Sequence, residues 1–242
     1  MIYQINSRQN DKIKQLIKLY DSKERKIRKA FIVEGFHLFE MAKLSNSIIE
    51  IYTLNVIESL PENINQYIIN EEILHKISKA KNPQGIVTVC KIKENEPIKS
   101  NKIIYLDDIA DPGNMGTILR TALAFSYFDV IVSSNCVSIF NEKVIQASQG
   151  AIFKINVLND DNNLIYKLKE EGYKIISTSL RDSIPLEKCP KFDKEILVFG
   201  NEARGVSNTI LDNSDVKIRI EMDNIDSLNV GVASGIVLYH FK

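Results

Sequence analysis

The chain is poor in the residues that staple, ligate or anchor a protein. Its three cysteines, Cys90, Cys136 and Cys189, are odd in number and far apart, and no CxxC pair occurs. That spacing excludes a disulfide framework and argues against zinc and dithiol redox chemistry, and it makes a reduced, cytoplasmic compartment the default expectation. No apolar run approaches the ~20 residues that a membrane span needs, and the polar N-terminus lacks the apolar core of a signal peptide. The histidines His37, His75 and His240 are scattered, which suits structural or exposed side chains better than a ligand set. No GxGxxG follows a strand-like run, and there is no GxxxxGK[ST], no HExxH and no GxSxG. A dinucleotide site, a P-loop, a zinc-protease centre and a serine-hydrolase elbow are therefore not expected. What these absences leave is chemistry by positioning, with no metal and no covalent nucleophile.

The 242 residues are 44% hydrophobic and 26% charged, the composition of a soluble globular protein with one large or two small domains. A chain of this length buries roughly 70% of the surface its unfolded form exposes. Net charge is zero, but residues 1–30 carry nine basic side chains against three acidic ones. A basic N-terminal helix is a plausible contact for a phosphate backbone; read blandly, it is a solvated helix face.

Along the chain, residues 8–29 are expected as one helix, with Ile13, Leu16, Ile17 and Tyr20 as its apolar stripe. Strands are expected at Phe31–Glu34, Ile48–Leu54 and Ile86–Cys90, and helices from Gly35 to Leu44 and over Glu71–Ala80. The turn Asn82-Pro83-Gln84-Gly85 leads into the third strand. The polar, aperiodic segment Lys93–Lys102 reads as a linker between a small α/β domain (1–93) and a larger one (102–242). In the larger domain, strands are expected at Lys102–Leu106, Asp129–Val132, Lys154–Val157, Lys174–Thr178, Glu195–Phe199 and Val216–Ile220. Helices are expected near 114–126, 141–150, 161–171, 207–213 and 228–241. Runs such as Ile196–Phe199 are apolar without alternation, which suits strands buried on both faces of a parallel sheet covered by helices.

Open α/β sheets bind ligands beyond the carboxyl ends of their strands. Three such ends are rich in glycine, asparagine and carboxylates: Asp107–Gly116, Gly200–Gly205 and Glu221–Asn229. They read as parts of one composite pocket.

Within these loops, Asn114-Met-Gly-Thr-Ile-Leu-Arg120-Thr-Ala, Gly200-Asn-Glu202-Ala-Arg-Gly205 and Ser227-Leu-Asn229-Val-Gly-Val-Ala233 resemble, in order and spacing, the three signature motifs of the SpoU family of SPOUT RNA methyltransferases. The resemblance covers residues ~100–242, and the N-terminal half looks like the small α/β RNA-binding module of ribosomal-RNA members. It implies a C-terminal trefoil knot, although knots run against ordinary connection rules. It also implies S-adenosyl-L-methionine (SAM) bound in the knot, and a homodimer whose active sites use both subunits. The implied activity is ribose 2′-O-methylation, of rRNA first. The alternatives are the same reaction on tRNA, a base methyltransferase of the wider group, and a non-catalytic RNA-binding ribosome-assembly factor.

The resemblance assigns Asn114, Arg120, Glu202, Ser227 and Asn229 to catalysis, and Gly200, Ile220 and Leu228 to SAM; Thr178, Ser179, Phe199 and Met222 sit at neighbouring strand ends and are added as cofactor candidates. Each has a plainer reading. Asn114 and Ser227 suit helix N-caps, Glu202 suits an exposed loop, and Arg120 suits a helix surface. Glu202 could accept hydrogen bonds from substrate or from Arg120. The family pattern has Arg120 assist deprotonation of the 2′-hydroxyl, but a guanidinium stays charged, so clamping a phosphate or stabilising a developing alkoxide is chemically easier. Gly231, Ala233 and Gly235 permit close helix approach, expected to serve the dimer contact. Ser126, Gln146 and Asn156 depart from the residues usual in the family, and Gln146 replaces an arginine of the RNA grip.

Overall fold

A computed structural model of the chain describes residues 1–161 and 163–242. It divides into two compact units: Met1–Glu94 with Phe140–Phe153, and Asn95–Ile139 with Lys154–Lys242. The first boundary falls in the expected linker. The excursion Phe140–Phe153 is a departure from the simple division into 1–93 and 102–242.

In the first unit, a mixed sheet is built from β1 (Ile2–Gln4), β2 (Ala30–Glu34), β3 (Ile48–Thr53), β4 (Asn65–Ile68) and β5 (Ile86–Lys91) in the order β1-β4-β3-β5-β2. The helices are α1 (Asp11–Lys18), α2 (Ser22–Arg28), α3 (Phe36–Leu44) and α4 (Glu71–Ile77). The single helix expected over 8–29 is in fact two. Asp21 caps α2 by accepting from Lys23 N at 2.7 Å, and the buried Arg25 guanidinium donates to the carbonyls of Leu19 (3.2 Å) and Tyr20 (2.7 Å) at the end of α1. A capping carboxylate and an arginine satisfying the freed carbonyls together break the helix. Helix α4 stops at Ile77 rather than Ala80 because Glu34 captures the next residues: its carboxylate accepts from Lys79 N at 2.8 Å and from the Ser78 hydroxyl.

The second half runs β6 (Lys102–Leu106), α5 (Pro112–Ala124), β7 (Asp129–Val132), α6 (Glu142–Ser148), β8 (Asn156–Asn159), α7 (Leu164–Glu170), β9 (Lys174–Thr178), β10 (Ile184–Pro185), β11 (Glu195–Phe199), α8 (Asn208–Asn213), β12 (Val216–Arg219) and α9 (Val230–Phe241). Helix α6 belongs to the first unit, where Ile145 and Phe153 join Phe31, Val33 and Leu38 in one apolar cluster. The strand expected at 154–157 begins later, at Asn156, after a 3-10 turn over Ala151–Phe153. The helix expected over 161–171 includes Asn162, which lies outside the described residues.

The other strands form a seven-stranded parallel sheet in the order β10-β12-β9-β11-β6-β7-β8. Residues Ile103–Leu106 and Ile196–Phe199 are buried throughout, as strands covered on both faces must be. From β6 the chain moves outward through β7 to β8, then returns to the other side, and β11 inserts between β6 and β9. The carboxyl ends of β6, β11, β9 and β12 consequently lie along one stretch of sheet edge, and the direction of winding reverses there. Such a reversal opens a ligand crevice.

Candidate functional site

The three motif loops are joined by hydrogen bonds through one asparagine. Asp111, followed by Pro112 at the first turn, is the N-cap of α5 and accepts from Asn114 N at 2.8 Å. The expected cap was Asn114, three residues further in. With the cap role taken by Asp111, the Asn114 amide is free to reach sideways. Its Nδ2 donates to Glu202 Oε1 at 2.9 Å, and its Oδ1 accepts from Asn229 Nδ2 at 2.8 Å. Asn229 in turn caps α9, its Oδ1 accepting from Gly231 N (2.9 Å) and Val232 N (3.3 Å). Asn229 thus replaces Ser227 as the cap, because the helix starts at Val230 rather than 228. The Ser227 hydroxyl is left without a hydrogen-bond partner among the described residues.

Glu202 also accepts from Asp111 N at 3.1 Å and Ala110 N at 3.4 Å. Partial burial opposes its charge, but the Asn114 amide and the backbone N–H groups of Glu202, Asp111 and Ala110 outweigh that and hold the carboxyl below its ordinary value. Glu202 is therefore an ionised acceptor that fixes the start of α5, and a poor proton donor or acceptor at neutral pH. Within one chain its donors are Asn114, Asp111 and Ala110, and not Arg120.

The loop 200–205 is a closed hairpin. Asn201 and Gly205 exchange backbone bonds of 3.0 and 2.9 Å, and the Asn201 side chain donates to Asp108 O at 2.8 Å while accepting from Ala203 N and Arg204 N. A Cβ on Gly200 would lie 2.1 Å from Val206 N and 2.2 Å from Gly205 C. The glycine is thus required by the hairpin's own backbone. Asn201, Asp108 and Asp111 carry this geometry and were not singled out from sequence; the Asp-Pro pair at 111–112 is a legible N-cap signal.

Beside this network a cleft of about 630 Å³ opens at the ends of β9, β11 and β12, within the ~300–1,000 Å³ typical of small-molecule sites. All seven cofactor candidates, Thr178, Ser179, Phe199, Gly200, Ile220, Met222 and Leu228, line it, and so do Glu202, Ser227 and Asn229. Asn114 stands at its edge through its two hydrogen bonds. Arg120 is not in the lining; it is exposed on α5 and makes no hydrogen bond or ion pair among the described residues. The cleft also holds Arg181, Arg204 and Arg219, which sequence reasoning missed. Arg204 pairs with Asp108 at 3.2 Å, and Arg219 donates to Ser183 O and Glu221.

The residues present suit SAM: apolar walls from Phe199, Ile220 and Leu228, backbone groups at three strand ends, and a hairpin that only glycine closes. No cluster of His, Cys, Asp or Glu able to hold a metal occurs among the described residues. The small residues of α9 do not form a separate contact stripe. Gly231 packs on Thr117 and Gly235 faces Thr121, both on α5 of the same chain, and Ala233 lines the cleft. The face of α9 left exposed is apolar instead: Val232 (54%), Ile236 (40%) and Tyr239 (60%).

Comparison with known proteins agrees with this geometry. Residues 101–239 match the SpoU rRNA Methylase family, and residues 10–88 match the MRM3-like substrate binding domain. The 23S rRNA (guanosine(2553)-2′-O)-methyltransferase RlmP of Bacillus subtilis is 31% identical, over 99% of this chain and 99% of its own. The 23S rRNA (guanosine-2′-O-)-methyltransferase RlmB of Neisseria meningitidis is 30% identical, over 85% of this chain and 92% of its own. Among solved structures, one described as an RNA methyltransferase of the TrmH family from Porphyromonas gingivalis superposes with a TM-score of 0.85 at 28% identity, covering 96% of this chain and 97% of that one. An AdoMet-bound rRNA methyltransferase from Sinorhizobium meliloti shares the fold, with a TM-score of 0.88 at 24% identity over 99% and 97% of the two chains.

Proposed function

The chain belongs to the SpoU rRNA methylase family, and on that premise we propose how its residues carry the reaction. It is a SAM-dependent RNA ribose 2′-O-methyltransferase acting on rRNA. A relative matched over 99% of this chain is named as a 23S rRNA (guanosine(2553)-2′-O)-methyltransferase, and the corresponding guanosine is the substrate position we assign.

The carrying observation is the chain of hydrogen bonds from Glu202 through Asn114 to Asn229, which ties three distant motifs around one cleft. SAM, when bound, supplies an electrophilic methyl group on a sulfonium. The chain's own residues then have to hold a ribose oxygen in line with that methyl, and alignment of this kind supplies ~7–11 kcal/mol in favourable cases. Thr178, Ser179, Phe199, Gly200, Ile220, Met222 and Leu228 hold the cofactor. Ser227, with its unused hydroxyl in the cleft, positions the ribose with Asn229. Glu202 keeps Asn114 in place, and the first turns of α5 and α9 present backbone N–H dipoles to developing negative charge.

Arg120 completes the site from a second subunit. Its free guanidinium and its position outside the cleft of its own chain support a homodimer, as does the exposed apolar stripe Val232, Ile236 and Tyr239 on α9. Permanently charged, it stabilises the alkoxide or clamps a phosphate more readily than it accepts a proton. The C-terminal part is threaded as a trefoil knot, a reading supported by the insertion of β11 between β6 and β9, and the enzyme works in the cytoplasm beside its rRNA. No helix among the described residues is long and apolar enough to cross a membrane.

The test is methyl transfer from labelled SAM to protein-free 23S rRNA, with mass-spectrometric mapping of the product. Arg120→Ala is expected to lower the rate by about 10²–10³ with SAM affinity retained. Mixing Arg120→Ala subunits with Asn229→Ala subunits should restore activity above either alone. Activity of Arg120→Ala within twofold of wild type, or no rescue on mixing, refutes the assignment.

A further inference from the structure

The basic N-terminal segment is less available to RNA than its composition suggests. Of its nine cationic side chains, five are engaged within the first unit. Lys12 pairs with Glu50, Lys14 with Asp11 and Lys29 with Glu94, while Arg25 and Arg28 donate to backbone carbonyls. A different corner of the same unit carries cations with no such engagement, around an exposed aromatic ring.

That corner is built by Glu34, Gly35 and Gln84. The Glu34 carboxylate accepts from the Tyr20 hydroxyl (2.8 Å), Lys79 N (2.8 Å), Ala80 N (3.4 Å) and the Ser78 hydroxyl. All this binds the loop 78–84 to the end of β2 and engages the Glu34 carboxylate; a second carboxylate, Glu142, acts on Tyr20 through space. Gly35 has a φ of +92°, which strains any L-residue, and a Cβ there would sit 2.7 Å from Gln84 Oε1 and displace that side chain. That oxygen accepts from Phe36 N at 3.2 Å. The loop is thus fastened at both ends, and Phe36, tied to it through its backbone N–H, is 52% exposed. Lys79 and Lys81 are exposed on the loop that Gln84 ties to Phe36 N; among the described residues neither forms an ion pair, and Gln84 Nε2 makes no hydrogen bond. Lys79 lies over the Tyr20 ring at 5.2 Å, which steers the charge without cancelling it.

We infer that Phe36 is a stacking platform for one unpaired base of the RNA substrate, with Lys79 and Lys81 holding the adjoining phosphates. An exposed phenylalanine whose backbone is tied to a loop that carries two exposed lysines and an amide offers what a splayed-out nucleotide needs: a π-face, phosphate charge partners and a hydrogen-bonding group for a base edge. The lysines favour a polyanion over a second protein surface. The match to a substrate binding domain covers both Phe36 and the loop. The inference rests on the rRNA reading above.

The test measures binding of the full-length protein to protein-free 23S rRNA and to a fully paired RNA duplex, at fixed salt, with thermal melting and SAM binding as controls. Phe36→Ala is expected to weaken rRNA affinity by about 5- to 150-fold, to leave duplex affinity and SAM affinity unchanged, and to be rescued by Phe36→Trp. Lys79→Gln with Lys81→Gln should reduce the salt dependence of binding by between one and two phosphates. An rRNA affinity of Phe36→Ala within twofold of wild type overturns the inference, as does an equal loss on duplex, or equal losses in Phe36→Ala and Phe36→Trp. A wild-type protein that neither binds nor methylates rRNA overturns the functional reading instead.

Discussion

Gly200→Ala is a single methyl group whose effect follows from backbone positions alone. The added carbon would lie 2.1 Å from Val206 N, 2.2 Å from Gly205 C and 2.4 Å from Gly205 O. Every nearby atom is main chain, so no side chain can rotate away, and the hairpin must open. Opening it gives up the two Asn201–Gly205 bonds of 3.0 and 2.9 Å, worth about 0.5–1.5 kcal/mol each. The steric displacement adds about 1–3 kcal/mol, for a total of ~2–6 kcal/mol. Residues 202–205 are exposed, so the free protein relieves the clash by letting the loop swing out, at a loss of only a few degrees in Tm. The cofactor-binding form needs the loop closed, and the cost then appears in affinity. Two kcal/mol corresponds to about 30-fold in Kd, so calorimetric titration with SAM should show at least that loss. Gly205→Ala is the internal comparison. Its Cβ would meet nothing within 4 Å, but its φ of +71° strains an L-residue, by about 1 kcal/mol, or about fivefold. A Gly200→Ala protein that binds SAM within threefold of wild type, or one less impaired than Gly205→Ala, would refute the reasoning.

Two further outcomes follow from the same network. Asn114→Ala and Asn229→Ala should not be additive: each removes the shared 2.8 Å bond, so a double-mutant cycle on kcat should show a coupling of about 0.5–1.5 kcal/mol, and a coupling near zero would separate the two motifs. The depressed pKa of Glu202 makes its tie to α5 pH-dependent. Because the folded value is the lower one, the stabilisation is fully present above the ordinary value of 4.5 and is lost as pH falls through the folded value. Melting curves of wild type and Glu202→Gln should therefore differ by a constant amount above pH ~5 and converge in stronger acid; a gap that widens in acid contradicts the sign.

Parts of this architecture are readable from residue order, and the parts that are not have identifiable causes. Strands β6, β7 and β11 sit where the apolar runs Ile103–Leu106, Val130–Val132 and Ile196–Phe199 predict, because burial on both faces leaves no room for polar alternation. Strands β1, β4 and β10 give no such signal: β1 is a three-residue edge strand with every residue exposed, β4 reads Asn-Gln-Tyr-Ile, and β10 has two residues, one of them proline. Helix starts are misread in a consistent way. At both α5 and α9 two capping residues lie close together, Asp111 and Asn114, then Ser227 and Asn229. Propensity cannot rank them, since Asp, Asn and Ser cap about equally well. In each case the residue not used as a cap is the one whose polar group remains free: the Asn114 amide for the bridge, the Ser227 hydroxyl for the cleft. The stripe Gly231, Ala233 and Gly235 was legible as small, but its neighbour was not. Only the α5–α9 packing shows that Thr117 and Thr121 of the same chain fill the space.

The same packing bears on where the arginine acts. Thr117 and Thr121 turn one face of α5 onto α9, and Asn114, one turn before Thr117, leads that face into the cleft. Arg120 shares the helix but not the cleft lining, and its guanidinium is left in solvent. Rotating α5 to bring Arg120 toward its own cleft would pull Asn114 away from both Glu202 and Asn229 and undo the bonds that unite the site. The proposal that keeps the network intact is that Arg120 serves a different copy of the cleft. On that proposal the motif that carries Asn114 and Arg120 six residues apart divides between two sites: Asn114 organises the cleft of its own chain, and Arg120 is presented to a neighbour. On this geometry a monomeric variant, made by placing charge on Val232 and Ile236, should keep SAM affinity and lose methyl transfer to the same degree as Arg120→Ala. A monomer that remains active would place the arginine back in its own chain's cleft.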